Sequence, residues 1–250
     1  MRRNLYIWVV VIEMILVHGA RAQQSAMTEE AEQAMRRACN EGNSQAIQSA
    51  AMQLASGGTY GADRLEYASN LLSSVEVNGV LFTGSKADTY PVLMLQYLKS
   101  MRTDVRVICL EWLSDAVYFQ RIQASVGIEN KGAESIQLLA QKMPVYVSLA
   151  VSAEVIGALE SDLYCTGLAL KYSSVPLANV RGLYAEWWKA CGKKSMASGY
   201  SLNANYLLPL AILARYAEAI GNVSDAKTIK QQYAEIAKSV GEKEQLPALK

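Results

Sequence analysis

The chain contains a single histidine, His18, among its 250 residues. That histidine lies in the amino-terminal segment that we predict below to be removed, so the mature chain is expected to have none. Ser-His-Asp and Cys-His catalysis, histidine zinc sites and histidine-based pH switches are then excluded. No other complete catalytic set appears, so the sequence by itself does not specify a reaction.

Cysteine is also sparse, and none of the four cysteines belongs to a C-x-x-C pair. Cys109 and Cys165 lie in apolar runs, which predicts buried thiols that behave as small hydrophobic side chains. The alternative is a Cys109–Cys165 or a Cys39–Cys191 disulfide, which an exported protein can form. Without histidine, a metal site would need all four cysteines to converge, so the sequence predicts no metal and no cofactor.

Neither sign of charge is in excess. The chain has 24 lysines and arginines against 23 aspartates and glutamates, and removal of residues 1–22 leaves 21 against 22. Proteins that bind nucleic acid usually carry a clear excess of positive charge. The composition therefore argues against nucleic acid as a partner.

Residues 1–22 have the organisation of a secretory signal peptide. A positive start, an apolar stretch and a small-x-small cleavage site follow in order: Arg2 and Arg3, residues 5–17, and Ala20-Arg21-Ala22. The apolar stretch contains Glu13 and is shorter than the roughly 20 residues that span a membrane. We expect a mature chain that starts at Gln23, is exported to the periplasm and has no membrane span. An uncleaved amino-terminal anchor is the alternative.

Residues 78–112 give the clearest structural signal. A β-branched run, a glycine-centred loop, a proline-started helix and a second apolar run are typical of a strand–loop–helix–strand unit in a parallel sheet. The same alternation continues to residue 172, and parallel strands need helical crossovers between them. We predict strands at 79–83, 105–110, 145–151 and 164–172, and helices at 91–100, 116–124, 134–142 and 153–159.

Helical periodicity predominates on both sides of this region. We predict helices at 28–41 (with Thr28 as N-cap), 44–54, 64–74, 203–220 and 224–240. The last two helices are joined by Gly221-Asn222 and have the lengths of one tetratricopeptide-type unit. The predicted fold class is α/β: a three-layer Rossmann-like parallel sheet over 75–175, flanked by a helical region at 23–74 and another at 176–250.

The loop at residues 84–91 is the main candidate site, because open α/β sheets place ligands where a strand ends and a helix begins. Backbone amides there, with the hydroxyls of Ser85 and Thr89 and the charge of Lys86, are suited to an anion. The spacing matches neither a P-loop nor a dinucleotide motif. A plain turn is the favoured alternative, with Gly84 permissive, Asp88 or Thr89 capping the helix and Pro91 in its first turn.

Three carboxylates, Glu111, Asp115 and Glu154, follow the ends of the second and third predicted strands and border the same crevice. Paired carboxylates there suit acid–base work or a hydroxylated ligand, although solvated edges and helix caps are far commoner. The candidate ligand-binding residues are Gly84, Ser85, Lys86, Asp88, Thr89 and Glu111. In the Trp187-Trp188 pair, neighbouring residues on a helix face about 100° apart, so we expect one tryptophan in the core and at most one available to a ligand.

Four segments carry a family resemblance: Gly84-Ser85-Lys86-Ala87-Asp88-Thr89-Tyr90-Pro91, Asp104-Val105-Arg106-Val107, Pro144-Val145-Tyr146-Val147 and Gly167-Leu168-Ala169-Leu170-Lys171-Tyr172. They resemble segments in the soluble, exported portion of bacterial polytopic membrane proteins related to protein O-mannosyltransferases. In that family the loop reads Gly-Asp-Asn-Asp-Thr-Phe/Tyr-Pro, so Ser85-Lys86-Ala87 replaces its acidic and amide positions. The resemblance spans roughly 65–175, and the terminal helices resemble that family's helical repeats.

The resemblance implies a free-standing, exported version of a non-catalytic domain, because sugar transfer in that family is expected in the membrane-spanning part. The leading hypothesis is therefore an exported, non-enzymatic binding or accessory protein that engages envelope proteins or glycans. The alternative is an enzyme or binder that acts on a phosphorylated or glycosylated small ligand through Lys86, Asp88 and a carboxylate such as Glu111.

Overall fold

The structure is a computed structural model that describes residues 25–192 and 201–241. The predicted signal peptide, the side chain of Cys191 and the end of the chain after residue 241 lie outside the described residues. The chain divides into two compact units, one up to Tyr60 and the other from Gly61. The region boundaries predicted at 74 and 175 remain predictions.

The first unit is a helical hairpin of α1, residues 25–41, and α2, Ser44–Ser56. Residues 25–27 are already helical, so the predicted N-cap at Thr28 is wrong. The Thr28 hydroxyl instead hydrogen-bonds the Thr59 hydroxyl at 2.9 Å, and Tyr60 donates to the Glu32 carboxylate at 2.8 Å. Both bonds hold the segment after α2 against α1. The buried side chains recur at helical spacing: Ala31, Met35, Ala38, Ile47, Ala50, Ala51 and Leu54.

The second unit contains a five-stranded mixed sheet in the order β2-β1-β3-β5-β4. The strands are β1 Val80–Thr83, β2 Arg106–Cys109, β3 Val145–Ser148, β4 Leu163–Cys165 and β5 Ala169–Tyr172. The predicted α/β class with helices around a sheet is confirmed. The first three strands are parallel to one another, but β5 is antiparallel to both β3 and β4.

The prediction of a fully parallel sheet is therefore wrong, because the apolar run at 164–172 is a hairpin and not one strand. The turn is closed by a hydrogen bond from the Thr166 amide to the Ala169 carbonyl at 2.9 Å. Gly167 has φ of +136°, a backbone conformation that side chains rarely allow. One glycine inside an apolar run is a weak signal for a reversal of the chain.

Helices lie before, between and after these strands. They are α3 Ala62–Leu72, α4 Lys86–Lys99, α5 Ala116–Val126, α6 Ala133–Ala140, α7 Ala153–Leu159, a short α8 Val180–Gly182, α9 Leu207–Ala219 and α10 Val223–Val240. A π-helix, Leu183–Gly192, continues directly from α8. Short 3-10 turns occupy Glu111–Ser114, Glu160–Asp162 and Ser201–Tyr206, and the last one replaces the start of the helix predicted at 203.

The core of the second unit joins one face of the sheet to α3, α4, the π-helix and the C-terminal pair α9 and α10. Small side chains allow α9 and α10 to approach closely, since Ala211, Ala214, Ala217 and Ala226 are all buried. The pair turns at Gly221, which has φ of +75°, and Asn222 caps α10 by accepting from the Asp225 amide. The predicted helical hairpin is thus present at the end of the chain. Across residues 25–192 and 201–241, no helix has both the length and the apolar character to cross a membrane.

The predicted alternative of a Cys109–Cys165 disulfide is wrong. Cys109 ends β2 and Cys165 ends β4, the two opposite edges of the sheet. Four strand spacings of about 4.8 Å separate these edges by roughly 19 Å, whereas bridged Cα atoms lie within about 7 Å. Both thiols are free and buried, as the main prediction stated. Burial raises the pKa of Cys109 to about 11 and that of Cys165 to about 12.

Candidate functional site

The loop at 84–91 forms the start of α4. The Ser85 hydroxyl accepts a hydrogen bond from the Ala87 amide at 3.3 Å, and the Asp88 carboxylate accepts from the Ser85 amide at 3.0 Å. This capping box satisfies amide groups that a helix start otherwise leaves without partners. The helix therefore begins at Lys86 with Ser85 as its N-cap. The predicted cap at Thr89 is wrong, and Asp88 caps the helix as the third residue of the capping box and not as the N-cap. Pro91 is the sixth helical residue and not part of the first turn.

Asp88 is fully buried and connects three elements. Its carboxylate accepts from the Gly84 amide at 3.0 Å as well as from Ser85, and the hydroxyl of Ser148, at the end of β3, also donates to it. Burial raises the pKa of Asp88 above its usual value, and the hydrogen bonds from Ser85, Gly84 and Ser148 lower it in part. Asp88 thus fastens the ends of β1 and β3 to the first turn of α4.

The backbones that follow β1 and β3 are in direct contact. A Cβ placed on Gly84 would lie 2.2 Å from the carbonyl oxygen of Ala150, so only glycine fits there. In the strand order β2-β1-β3, the gap between β1 and β3 is the switch point at which open α/β sheets usually bind ligands. Here that gap is closed at Gly84. Beside it, the buried Thr83 and Thr89 hydroxyls hydrogen-bond each other at 2.7 Å.

The structure brings five of the six candidate binding residues together in this one turn. Lys86 is exposed, and Glu111 is exposed at the start of the 3-10 turn after the neighbouring strand β2. Asp115 caps α5 by accepting from the amides of Val117 and Tyr118 at 2.9 and 3.2 Å. Glu154 is exposed in the first turn of α7. A binding role for loop 84–91 stays a prediction, with Lys86 and Glu111 as its solvent-facing charges.

Two clefts lie at the other end of the sheet, near the amino ends of β1 and β3. The sequence did not predict them. Their volumes are about 340 Å³ and 670 Å³, and they share the lining residues Glu76, Lys171 and Leu177. Glu76 precedes β1, and Pro144 in the larger cleft directly precedes β3. Because β5 runs antiparallel to β3, the carboxyl end of β5, which carries Lys171, lies at this same end of the sheet. We call the smaller and larger spaces together the amino-end clefts.

An ion pair stands between the two amino-end clefts. The Lys171 ammonium lies 2.9 Å from the Glu76 carboxylate and 5.8 Å from the centre of the Tyr146 ring. Lys171 is held in place because it pairs with Tyr146 of β3 on one side and Tyr164 of β4 on the other. Tyr146 is buried, and burial beside the Glu76 charge raises the pKa of its phenol. The floor of the clefts thus carries one positive and one negative charge in an ion pair, held above the Tyr146 ring.

Arg102 fixes the segment that carries Glu76. Its guanidinium donates to the carbonyls of Leu72, Val75 and Glu76 at 2.9, 2.8 and 3.1 Å. It also makes a two-bond pair with the Asp104 carboxylate, with both distances at 2.9 Å. This pair lowers the pKa of Asp104 to about 2. The turn between α3 and β1 is therefore tied by one side chain to the loop before β2.

The outer wall of the clefts is formed by segment 173–179, which has no regular secondary structure, and by the π-helix. Segment 173–179 is anchored near its end, where the side-chain amide of Asn179 donates to the backbone carbonyl of Cys165. Trp187 lines the smaller cleft but is only 4% exposed, and its indole N–H donates to the Asn70 carbonyl at 3.2 Å. Trp188 is fully buried and donates to Gln232 at 3.3 Å. Only the edge of Trp187 is therefore offered to the cleft.

The sequence did not predict this second site. Glu76 and Lys171 are 95 residues apart and meet only because β5 reverses direction. The sequence indicated Trp187 as a possible ligand contact, and other lining residues, Pro144, Tyr146, Lys171 and Tyr172, lie in the segments that carry the resemblance, but it did not predict that they share a cleft. In the described part of the chain, no group of three or more histidine, cysteine, aspartate or glutamate side chains is arranged to hold a metal ion.

The family model TMEM260-associated domain 2 matches residues 64–138, which is less than a third of the chain. The match runs from α3 through β1, α4, β2 and α5 into α6. It fits, loosely, the resemblance to membrane proteins related to protein O-mannosyltransferases. The matched part includes Glu76 and loop 84–91 but not Lys171 or Trp187. No curated protein and no solved structure matches the chain.

Proposed function

We propose that this chain is an exported, non-enzymatic binding or accessory protein that engages a protein or glycan of the cell envelope. The observation that carries the proposal is the pair of adjoining amino-end clefts. Each of them has a size that suits a ligand site, since such sites usually measure about 300 to 1,000 Å³. The ion pair supplies charged contacts in that space, and the edge of Trp187 supplies an aromatic one.

The alternative is an enzyme or binder of a phosphorylated or glycosylated small ligand at loop 84–91. We favour the amino-end clefts because the Asp88 carboxylate accepts bonds from Gly84 and Ser85, and the backbone of Gly84 touches that of Ala150. A ligand at the loop would have to work chiefly through Lys86 and Glu111. The finer fold proposals, a Rossmann-like sheet and a tetratricopeptide-like terminal pair, are consistent with this view of a binding scaffold.

Binding to separated envelope fractions tests the function. The chain from Gln23 is immobilised, and detergent-extracted envelope proteins and purified envelope polysaccharides are passed over it in separate experiments. We expect saturable binding in one of the two, competed by the same material in solution and absent for heat-unfolded chain. If the folded chain bound neither fraction above the unfolded control, the proposal would be wrong.

Export is tested separately. The chain from Met1 is expressed in a bacterium, and its amino terminus is sequenced after osmotic release of the periplasm. We expect a chain that begins at Gln23. Recovery only in the cytoplasm, with residues 1–22 still attached, would contradict export without affecting the binding result.

A further inference from the structure

The chemistry of the amino-end clefts narrows the class of ligand. Apolar and neutral polar residues line the clefts together. The apolar ones include Val75, Met143, Val175, Leu177 and Leu183, and the hydroxyl and amide side chains include Ser73, Gln137, Gln141, Thr166, Ser173 and Asn179. The charged lining residues are Glu76, Glu186 and Lys171, which give one net negative charge. Such a lining repels anions, because two carboxylates face one ammonium that Glu76 already pairs. A neutral ligand that combines hydrogen-bonding groups with an apolar face fits this lining best.

The geometry disfavours the common modes of peptide binding. Adding a peptide strand requires a sheet edge with unpaired N–H and C=O groups, but β3 and β5 at this site are paired on both sides. Binding an amphipathic helix requires a continuous apolar groove. Here the floor between the two clefts is interrupted by the Glu76–Lys171 pair. Hydroxyl groups, by contrast, both donate and accept, so they can bond a carboxylate, an ammonium and an amide in turn.

We propose that the amino-end clefts bind a neutral oligosaccharide that crosses the Glu76–Lys171 pair and lies along segment 173–179. This inference rests on the proposed binding function and names its ligand class and its site. Sugar hydroxyls bond the carboxylate and the ammonium at the centre, and the side-chain amides of Gln137 and Gln141 bond the sugar in the larger cleft. In the smaller cleft the Ser73 and Thr166 hydroxyls accept from the sugar, because their own protons are donated to the Ser69 and Ala169 carbonyls. The apolar face of a sugar packs against Leu177, which both clefts share.

Gly182 provides a way to block the site without disturbing the fold. It lines the smaller cleft, and a Cβ added there meets no atom within 4 Å. Because Gly182 is the last residue of α8, replacing it by leucine also raises helix propensity. Gly157 is a matched control: it lies in α7, an added Cβ there also meets nothing within 4 Å, and it lines neither cleft.

The test measures binding of maltohexaose, cellohexaose, chitohexaose and mannohexaose, each separately, by calorimetric titration of the chain from Gln23. We expect at least one of them to bind saturably. Gly182→Leu should weaken that binding at least about tenfold, and Gly157→Leu should change it less than about twofold. Thermal unfolding should show both variants folded.

A second variant keeps the test independent of the glycine substitution. Glu76→Gln breaks an ion pair whose carboxylate side chain is 45% exposed, so the fold should tolerate it. Binding should weaken at least about threefold, because a charged acceptor for sugar hydroxyls is lost.

Each outcome is decisive. Undiminished oligosaccharide binding by both Gly182→Leu and Glu76→Gln would place the sugar elsewhere and overturn the assignment of the site. Failure of all four sugars would overturn the neutral-oligosaccharide ligand class, and the proposed function would survive if either envelope fraction still bound saturably. Failure of both sugars and envelope fractions would remove the proposed function itself.

Discussion

Replacing Asp88 by asparagine tests whether this carboxylate is a structural hub. In the native chain one carboxylate oxygen accepts from the Gly84 amide and the other from the Ser85 amide, each at 3.0 Å. Asparagine has the same shape but only one oxygen, so its NH₂ group must face one of these two N–H donors. One backbone amide then loses its acceptor in a largely buried place, whichever way the side chain is turned.

The expected magnitude follows from these bonds. A buried donor without a partner costs about 1–3 kcal/mol, and loss of a negative charge at a helix start costs about 0.3–1 kcal/mol. Removing the buried charge of Asp88 offsets part of this cost. We therefore expect Asp88→Asn to lower the free energy of unfolding by about 2 kcal/mol at pH 7, whereas Lys86→Ala, an exposed change in the same turn, should stay within about 0.5 kcal/mol.

The pH dependence adds a second test. Because burial raises the pKa of Asp88 in the folded state, its contribution to stability is fully present below the usual pKa of 3.8 and declines as pH rises through the raised value. Asparagine does not titrate, so the stability advantage of the native chain over Asp88→Asn should shrink as pH increases. Other groups titrate alike in both proteins and cancel in the difference.

Urea unfolding of the native chain, Asp88→Asn and Lys86→Ala, at several pH values between 4 and 8, measures both effects. Equal unfolding midpoints for Asp88→Asn and Lys86→Ala would refute the role of Asp88 as a structural hub. A difference that grows with pH would show that the hydrogen bonds outweigh burial, and that the pKa of Asp88 is lowered in the folded chain.

Two further predictions concern other groups of the second unit. Arg102→Lys should lower the free energy of unfolding by about 2 kcal/mol, because an ammonium cannot keep both the two-bond pair with Asp104 and the carbonyl bonds of the guanidinium. Urea unfolding measures this effect, with Arg106→Lys at an exposed site as the control. An equal effect of the two substitutions would contradict the role of Arg102. Cys109 and Cys165 should resist a thiol reagent at pH 8 while the chain is folded, since burial keeps both thiols protonated with pKa values near 11 and 12. Both should react after unfolding in urea, and prompt reaction of the folded chain would contradict their burial.

Sequence reasoning succeeded where local pattern and tertiary environment agree. In residues 78–112 the strands and the helix between them are all present, because alternating apolar runs and a glycine loop favour the same structure that burial favours. The start of α4 was placed too late because Pro91 suggested a first turn. The capping box of Ser85 and Asp88 was present in the sequence and is the stronger signal for a helix start.

The candidate site was predicted less well, because its location depends on strand direction. If β5 were parallel to β3, Lys171 would lie at the carboxyl ends of the strands, beside loop 84–91. In the antiparallel β5 it lies instead at the amino ends of β1 and β3, where it meets Glu76. No local pattern in residues 164–172 specifies that direction. Only pairing with β3 and β4 decides it.

The position of Gly167 shows how this direction is tied to the rest of the fold. A Cβ at Gly167 would lie 2.4 Å from both the Ser74 hydroxyl and the Trp187 indole nitrogen, so the hairpin turn packs directly on the segment before β1 and on the π-helix. The Ser74 hydroxyl also accepts a hydrogen bond from the Leu168 amide at 2.9 Å. The contacts that reverse the chain therefore also bring together three walls of the smaller cleft. It follows that the reversal of β5 and the formation of the amino-end clefts are one structural event, and that a fully parallel sheet would have neither the Glu76–Lys171 pair nor a site beside it.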